Sequence, residues 1–164
     1  MNVMNHTISS FLIIFLFATT ARAESNSLVS NWGVEAGALY LNQSSGGETT
    51  TILPMLDGGL WLSGNWALNV QIGGTAYKDS STDKTFTIGV ARINPVYRIP
   101  ATKFSVEALL GMQKWEEQDA KADLGLRGNY VVGNDWLSEL FFGAGSVQHD
   151  EVTNYVTVGM KKWF

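Results

Sequence analysis

The greatest chemical capacity of this 164-residue chain lies in eight ionisable side chains that recur in the polar phase of alternating segments. Glu35, Asp57, Glu107, Asp123 and Glu139 supply carboxylates, and Arg92, Arg127 and Lys161 supply cations. Gathered inside a sheet, such groups form ion pairs. At ~4 Å and an effective dielectric of ~20 each pair attracts by ~4 kcal/mol, and desolvation offsets much of that. The pairs therefore act mainly by penalising a wrong register. Five acids against three bases leave a carboxyl free to hold a proton or a cation, so a narrow ion- or proton-conducting path is a second reading.

Nucleophilic catalysis needs a base beside a nucleophile. Beyond the first 23 residues the one histidine is His149, near Ser146, Asp150 and Glu151. In a polar connecting segment such a histidine is more often solvated than catalytic. The chain has no cysteine, which removes thiolate chemistry and disulfides. No metal-ligand spacing, phosphate-binding glycine loop or nucleotide motif occurs, so no cofactor is expected. A net charge of −4 without a basic run argues against nucleic-acid binding. Glu48, Asp79, Asp83, Glu116, Glu117, Asp119, Asp150 and Glu151 fall in connecting segments, where they suit solvated tips, divalent cations or a surface ligand.

The elements that must position these groups are eight segments with period-two alternation: 31–42, 51–62, 66–77, 84–99, 103–114, 122–132, 136–148 and 152–164. In the first, Trp32, Val34, Ala36, Ala38 and Tyr40 oppose Gly33, Glu35, Gly37 and Leu39. The fourth breaks phase: Phe86, Ile88 and Val90 share one face, Ile93, Tyr97 and Ile99 the other. A β-bulge near Ala91–Arg92 would restore one face and turn Arg92 inward. Pro54 and Pro95 are awkward in strands, because proline cannot donate to a ladder. Residues 63–65, 100–102 and 133–135 form short turns, while 43–50, 78–83, 115–121 and 149–151 form longer loops.

At the amino terminus, Phe11 to Phe17 is an apolar core followed by Ala21-Arg22-Ala23, the pattern of a cleavable export signal. Residues 1–23 are expected to be removed, leaving one domain, 24–164. That domain has no run of ~18 apolar residues, so a membrane could be crossed only by a closed sheet.

Three features favour a membrane barrel over a soluble one. Glycine crowds the face opposite the apolar stripe, at positions 33, 37, 59, 73, 111, 125, 143, 145 and 159, and charged residues make up only 16% of the chain. Aromatic residues Trp32, Tyr40, Trp66, Tyr130, Trp136 and Phe164 sit near segment ends, as interfacial girdles would. The chain ends Thr157-Val-Gly-Met-Lys-Lys-Trp-Phe164, which resembles the C-terminal assembly signal of outer-membrane proteins. Val156, Val158, Met160 and Phe164 match its every-second-residue pattern, and Lys162 departs from it.

Across residues 24–164 the chain resembles the small OmpA/OmpX-type barrels. The residues that carry this are Asp123-Leu-Gly-Leu-Arg-Gly-Asn-Tyr130, then Gly-Asn-Asp, then a closing strand on Phe164. The resemblance implies an eight-stranded antiparallel up-and-down transmembrane β-barrel in the outer membrane. It further implies a monomer with both termini periplasmic and a lumen filled by polar side chains. The implied role is structural or in surface interaction. Implied partners are lipid, lipopolysaccharide, periplasmic chaperones and the barrel-assembly machinery. Some outer-membrane barrels are lipid A deacylases or palmitoyltransferases. The deacylase's histidine-X-serine arrangement is missing here, because Asp150 and Glu151 follow His149.

Overall fold

A computed structural model describes residues 30–43, 48–78, 85–115, 119–133, 137–148 and 152–164. Residues 1–23, the expected export signal, lie outside them. Eight strands follow one another: β1 (Ser30–Gln43), β2 (Glu48–Ser63), β3 (Trp66–Lys78), β4 (Thr85–Arg98), β5 (Phe104–Trp115), β6 (Lys121–Val131), β7 (Glu139–Gln148) and β8 (Val152–Trp163). Each pairs antiparallel with its neighbour in sequence, and β8 closes on β1, from Gly33 opposite Trp163 to Gln43 opposite Thr153. This is the expected up-and-down barrel. Closure leaves no free sheet edge.

Alternation along each strand sorts side chains into two environments. Val34, Leu56, Ile72, Val106, Leu126, Phe142 and Val158 point out and are exposed, while Glu35, Asp57, Gln71, Glu107, Arg127 and Lys161 point in and are buried. The expected faces of β1, β2, β3, β5, β6 and β8 hold.

Three expectations change. The fourth segment has no register shift at Ala91–Arg92: its ladder with β3 runs unbroken from Trp66–Tyr97 to Lys78–Thr85, and its pairs with β5 keep one register. Arg92 points inward without a bulge, and so do Ile88 and Val90, both buried. The phase seemed to break because this strand is apolar inside at one end and apolar outside at the other. Next, β7 begins at Glu139 rather than at 136. Residues 132–133 and 137–138 are not in a strand, and Val132 and Gly133 donate their N–H groups to the Ser138 carbonyl; residues 134–136 lie outside the described residues. Lastly, two loop-side strands start earlier than expected, β2 at Glu48 and β6 at Lys121, while the loop residues 44–47, 79–84, 116–118 and 149–151 lie outside the described residues.

Pro54 and Pro95 each sit inside one ladder, opposite Ala36 and Leu68, and where the ladder on their other side is missing. The β2–β3 ladder extends no further than Met55 opposite Gly73, next to Pro54. Between β4 and β5 the ladder skips 93–95, and there the Leu110 N–H donates to Asn94 Oδ1 at 3.2 Å. Gly64 (φ +54°) and Gly133 (φ +69°) occupy the left-handed region at two turns, as does Ala101 (φ 59°) at a third.

Inward glycines make room for large inward side chains. A Cβ at Gly159 would stand 2.5 Å from both the Gly37 Cα and the Phe141 ring, at the seam that closes the barrel. Gly159→Val should therefore lower barrel stability by about 1–3 kcal/mol through overpacking. Gly128→Ala should stay within about 0.5 kcal/mol, since its Cβ would meet only the Phe142 carbonyl at 4.0 Å. Urea unfolding of refolded protein, followed by tryptophan fluorescence, measures both.

Candidate functional site: the filled lumen

The inward residues of β4 serve as a ruler along the barrel axis. From the turn end they read Arg98, Val96, Asn94, Arg92, Val90, Ile88, passing from an open mouth through a charged layer to an apolar one. The lumen is layered rather than uniformly polar.

The charged layer is built on Arg127 of β6. Its Nη1 donates to both carboxylate oxygens of Glu35 in β1 at 2.8 Å. Its Nε and Nη2 donate to Glu107 Oε2 in β5 at 3.0 and 2.7 Å. The Phe141 ring lies 4.6 Å from the guanidinium carbon. Glu107 sits directly across the β5–β6 ladder from Arg127, and Glu35 across the β1–β8 ladder from Lys161. Lys161 Nζ lies 2.7 Å from Asp57 Oδ1 and 3.3 Å from Glu35 Oε2. It holds both by charge from directions that miss hydrogen-bond geometry.

Neutral amides complete the shell. Gln71 Nε2 donates to Asp57 Oδ1 at 2.7 Å and to Glu35 Oε2 at 3.0 Å. Asn94 Nδ2 donates to Gln71 Oε1 at 2.7 Å and to Glu107 Oε1 at 2.9 Å. Asn69 and Asn129 each reach Glu107 at 3.2 Å. Glu107 thus accepts from four side chains while fully buried, an arrangement that compensates an anion's desolvation better than a lone pair would.

A smaller group lies nearer the loops. Arg92 Nε donates to Asp123 Oδ2 at 2.7 Å, and the Tyr155 hydroxyl donates to Asp123 Oδ1 at 2.7 Å. Gln113 adds a bond to Asp123 Oδ2 at 3.2 Å. Glycine shapes this group as well: a Cβ at Gly111 would stand 2.7 Å from Arg92 Cγ, and one at Gly125 2.9 Å from the Tyr155 hydroxyl.

Beyond it the lumen turns apolar. Leu39, Leu41, Leu53, Met55, Ile88, Val90, Leu109, Trp115, Val147 and Tyr155 form one buried cluster. The lumen is thus polar in its turn half and mixed in its loop half, where the Arg92–Asp123 group lies against this apolar cluster. The apolar phase of Ile88 and Val90 was the available signal, and Leu39 in the polar phase of β1 was another.

Seven of the eight charged residues read from the sequence meet in these two groups. Glu139 stays apart, half-buried at the turn end, where it accepts from Trp163 Nε1 at 3.0 Å. Gln71, Asn94, Asn69 and Asn129 were missed. An uncharged amide in a polar phase carries no signal separating a network member from a solvated side chain. His149, Asp150 and Glu151 lie outside the described residues, and among those residues no group of three or more His, Cys, Asp or Glu could hold a metal.

Val156, Val158, Met160 and Phe164 of the expected assembly signal all face outward. Phe164 stacks on Trp32 with ring centroids 4.3 Å apart, and its N–H donates to the Trp32 carbonyl. Trp66–Tyr97 and Phe104–Tyr130 make tilted pairs at the same end, with centroids 4.9 and 5.0 Å apart. Tyr40, at the opposite end, is exposed. Trp136 lies outside the described residues.

Removing one member of the charged layer strands its partners. Arg127→Met should cost about 3–5 kcal/mol, because two buried carboxylates lose their main counter-charge. Glu139→Gln at the rim should cost under about 1 kcal/mol. Equal losses in urea titrations would show that the charged layer is not the structural centre.

No family model and no curated protein matches this sequence. Solved structures do match the fold. Neisserial surface protein A superposes with a TM-score of 0.62 at 14% identity, over 82% of this chain and 97% of that one. Ail, the attachment invasion locus protein of Yersinia pestis, superposes with a TM-score of 0.56 at 12% identity, over 84% of this chain and 100% of that one. Ail solved with the heparin analogue sucrose octasulfate gives 0.54 at 15% identity, over 83% and 99%. The chain has the fold of the small eight-stranded outer-membrane β-barrels of the OmpA/OmpX type.

Proposed function

We propose that this barrel resides in a bacterial outer membrane as a closed, non-conducting component with a structural or surface-interaction role and no catalytic activity. One observation carries the reading: every strand turns apolar side chains outward around a charged interior. Ile52, Leu126 and Phe142 are 67, 64 and 61% exposed, over a barrel whose Arg127 is 1% exposed. Water solvates such a belt poorly, and a bilayer's hydrocarbon solvates it well. The export pattern in 1–23 and the assembly-signal pattern at Phe164 support the outer membrane as its destination.

In this reading both termini are periplasmic, and the four connections from 44–47 to 149–151 face outward. The chain is a monomer in lipid and lipopolysaccharide, delivered by periplasmic chaperones to the barrel-assembly machinery. Surface roles find support in the similarity to proteins named for the surface and for attachment. The partner chemistry differs from a polysulfated saccharide, however. Asp79, Asp83, Glu116, Glu117, Asp119, Asp150 and Glu151 make the outward connections acidic, which suits divalent cations or a basic ligand.

The layered lumen argues against the pore reading. Ions would have to cross the ion-pair layer and then the apolar cluster around Leu39 and Leu109, where a desolvated charge is costly. The catalytic alternative draws no support from the described residues.

The refolded protein should migrate differently on a gel when boiled and unboiled, and should show no conductance steps in a planar bilayer. Leu126→Arg should destabilise it by about 2–4 kcal/mol in lipid. Lipid A mass spectra from cells with and without the protein should be identical. A chain that folds freely in water without detergent would overturn the membrane reading.

A further inference from the structure

One seam of the loop half is not laddered. The β2–β3 ladder stops at Met55 opposite Gly73, although β2 extends to Glu48 and β3 to Lys78. Both strands stay paired on their other sides, β2 with β1 up to Glu48 and β3 with β4 up to Lys78. Elsewhere around the loop end the ladders run on: β5–β6 to Gln113–Lys121, β7–β8 to Gln148–Val152, and β8–β1 to Thr153–Gln43. No role described above uses this gap.

Pro54, which has no N–H to give a neighbour, stands at the foot of the gap. Above it a side-chain contact crosses from strand to strand: the Thr51 and Thr75 hydroxyls are hydrogen-bonded at 3.2 Å. Both threonines belong to the inward phase of their strands. A hydroxyl pair is a single bond that can be exchanged, whereas a ladder breaks only when several bonds go together.

The gap separates two apolar regions. Outside it Ile52, Leu56 and Ile72 are 67, 59 and 41% exposed, continuous with the apolar belt. Inside it Leu53 and Met55 belong to the buried cluster in the loop half of the lumen. Backbone without ladder partners is costly in hydrocarbon, so an open seam at this depth is exceptional. An ion crossing it would lose its hydration among Leu53 and Met55 at large cost. A peptide strand would need one strand spacing on each side, about 9.6 Å between β2 and β3, and two touching threonines span less. A hydrocarbon chain, slim and apolar, meets neither obstacle.

We infer that the β2–β3 seam is a lateral gate, latched by Thr51 and Thr75, through which one acyl chain of a surrounding lipid reaches the apolar part of the lumen. The latched form is the one described above. Opening it exchanges the hydroxyl bond and breaks no ladder, because none crosses the seam beyond Met55. The chain then lies against Leu53 and Met55. Its polar linkage stays level with Glu48, Thr49 and Thr50, which make the β2 edge polar toward the loop end. The inference rests on the membrane reading proposed above.

The test is photolabelling of the full mature chain, refolded in phosphatidylcholine vesicles. The probe is a phosphatidylcholine with a diazirine at the end of one acyl chain, and peptide mass spectrometry maps the labels. Wild type should be labelled on inward Leu53 or Met55 as well as on outward Leu126 and Phe142. Oxidised Thr51→Cys/Thr75→Cys should lose the inward labels and keep the outward ones, and reduction should restore them. Thr51→Ala/Thr75→Ala, which needs no disulfide, should raise inward labelling about fivefold, the population shift from losing one typical hydrogen bond. Inward residues unlabelled in wild type, or inward labels indifferent to the oxidised lock or to removal of the latch, would overturn the gate. Outward labels without inward ones fail the gate alone, whereas loss of labels at Leu126 and Phe142 as well fails the membrane reading.

Discussion

The contact on which the rest of this barrel depends is the reach of Arg127 across the lumen, from β6 to Glu35 on β1 and Glu107 on β5. Its partners lie 92 and 20 residues away, so one guanidinium ties the closing strands to the middle of the sequence. A buried pair of this kind gains little net energy over an apolar filling, because desolvation consumes most of the attraction. Its value lies in what it forbids. Strand side chains alternate strictly, so a one-residue slip of β6 would put Arg127 onto the apolar outer face and Leu124 and Leu126 into the lumen. Every competing register carries that penalty at once, and the same holds for Lys161 on β8.

The glycines make this arrangement sterically possible. Gly143 lies beside Arg127, where a Cβ would stand 3.1 Å from the arginine's own, and Gly37 and Gly159 lie beside Phe141, the ring against which the guanidinium packs. Large and absent side chains alternate around the lumen, so eight strands close on a solid interior rather than a channel. Charge and glycine are therefore one design feature: long cations can reach the axis because the strands facing them carry nothing.

Much of this was legible in the sequence because period-two alternation depends only on the pleat. Strand number, order and most faces followed from it, and so did seven charged residues that meet in the lumen. What failed did so for identifiable reasons. On β4 the bulge was inferred from the assumption that apolar residues share one face, yet Ile88 and Val90 are apolar and inward while Ile93 is apolar and outward. The expected start of β7 at Trp136 rests on the same assumption, whereas the described chain enters β7 through Ser138, whose N–H bonds the Lys161 carbonyl and whose Oγ accepts from the Trp163 N–H. Turn and loop lengths misled because strands in a closed sheet continue as long as a neighbour offers hydrogen bonds, whatever their polarity. Glu48 to Thr50 pair with Tyr40 to Asn42 despite their polar composition.

The β4 error has a general cause. In a soluble protein apolar residues are selected to leave water, so hydrophobicity reports burial directly. Lipid removes that link, since an outward leucine and an inward leucine both avoid water and hydropathy cannot tell them apart. Only a polar residue still reports its direction, because an unpaired charge in hydrocarbon is costly while a paired one in the lumen is tolerated. The fourth segment is read correctly once Arg92, Asn94 and the arginine's partner Asp123 are weighted above the apolar residues around them. Charged and amide side chains, the minority in these strands, carry nearly all the information about which way each strand faces.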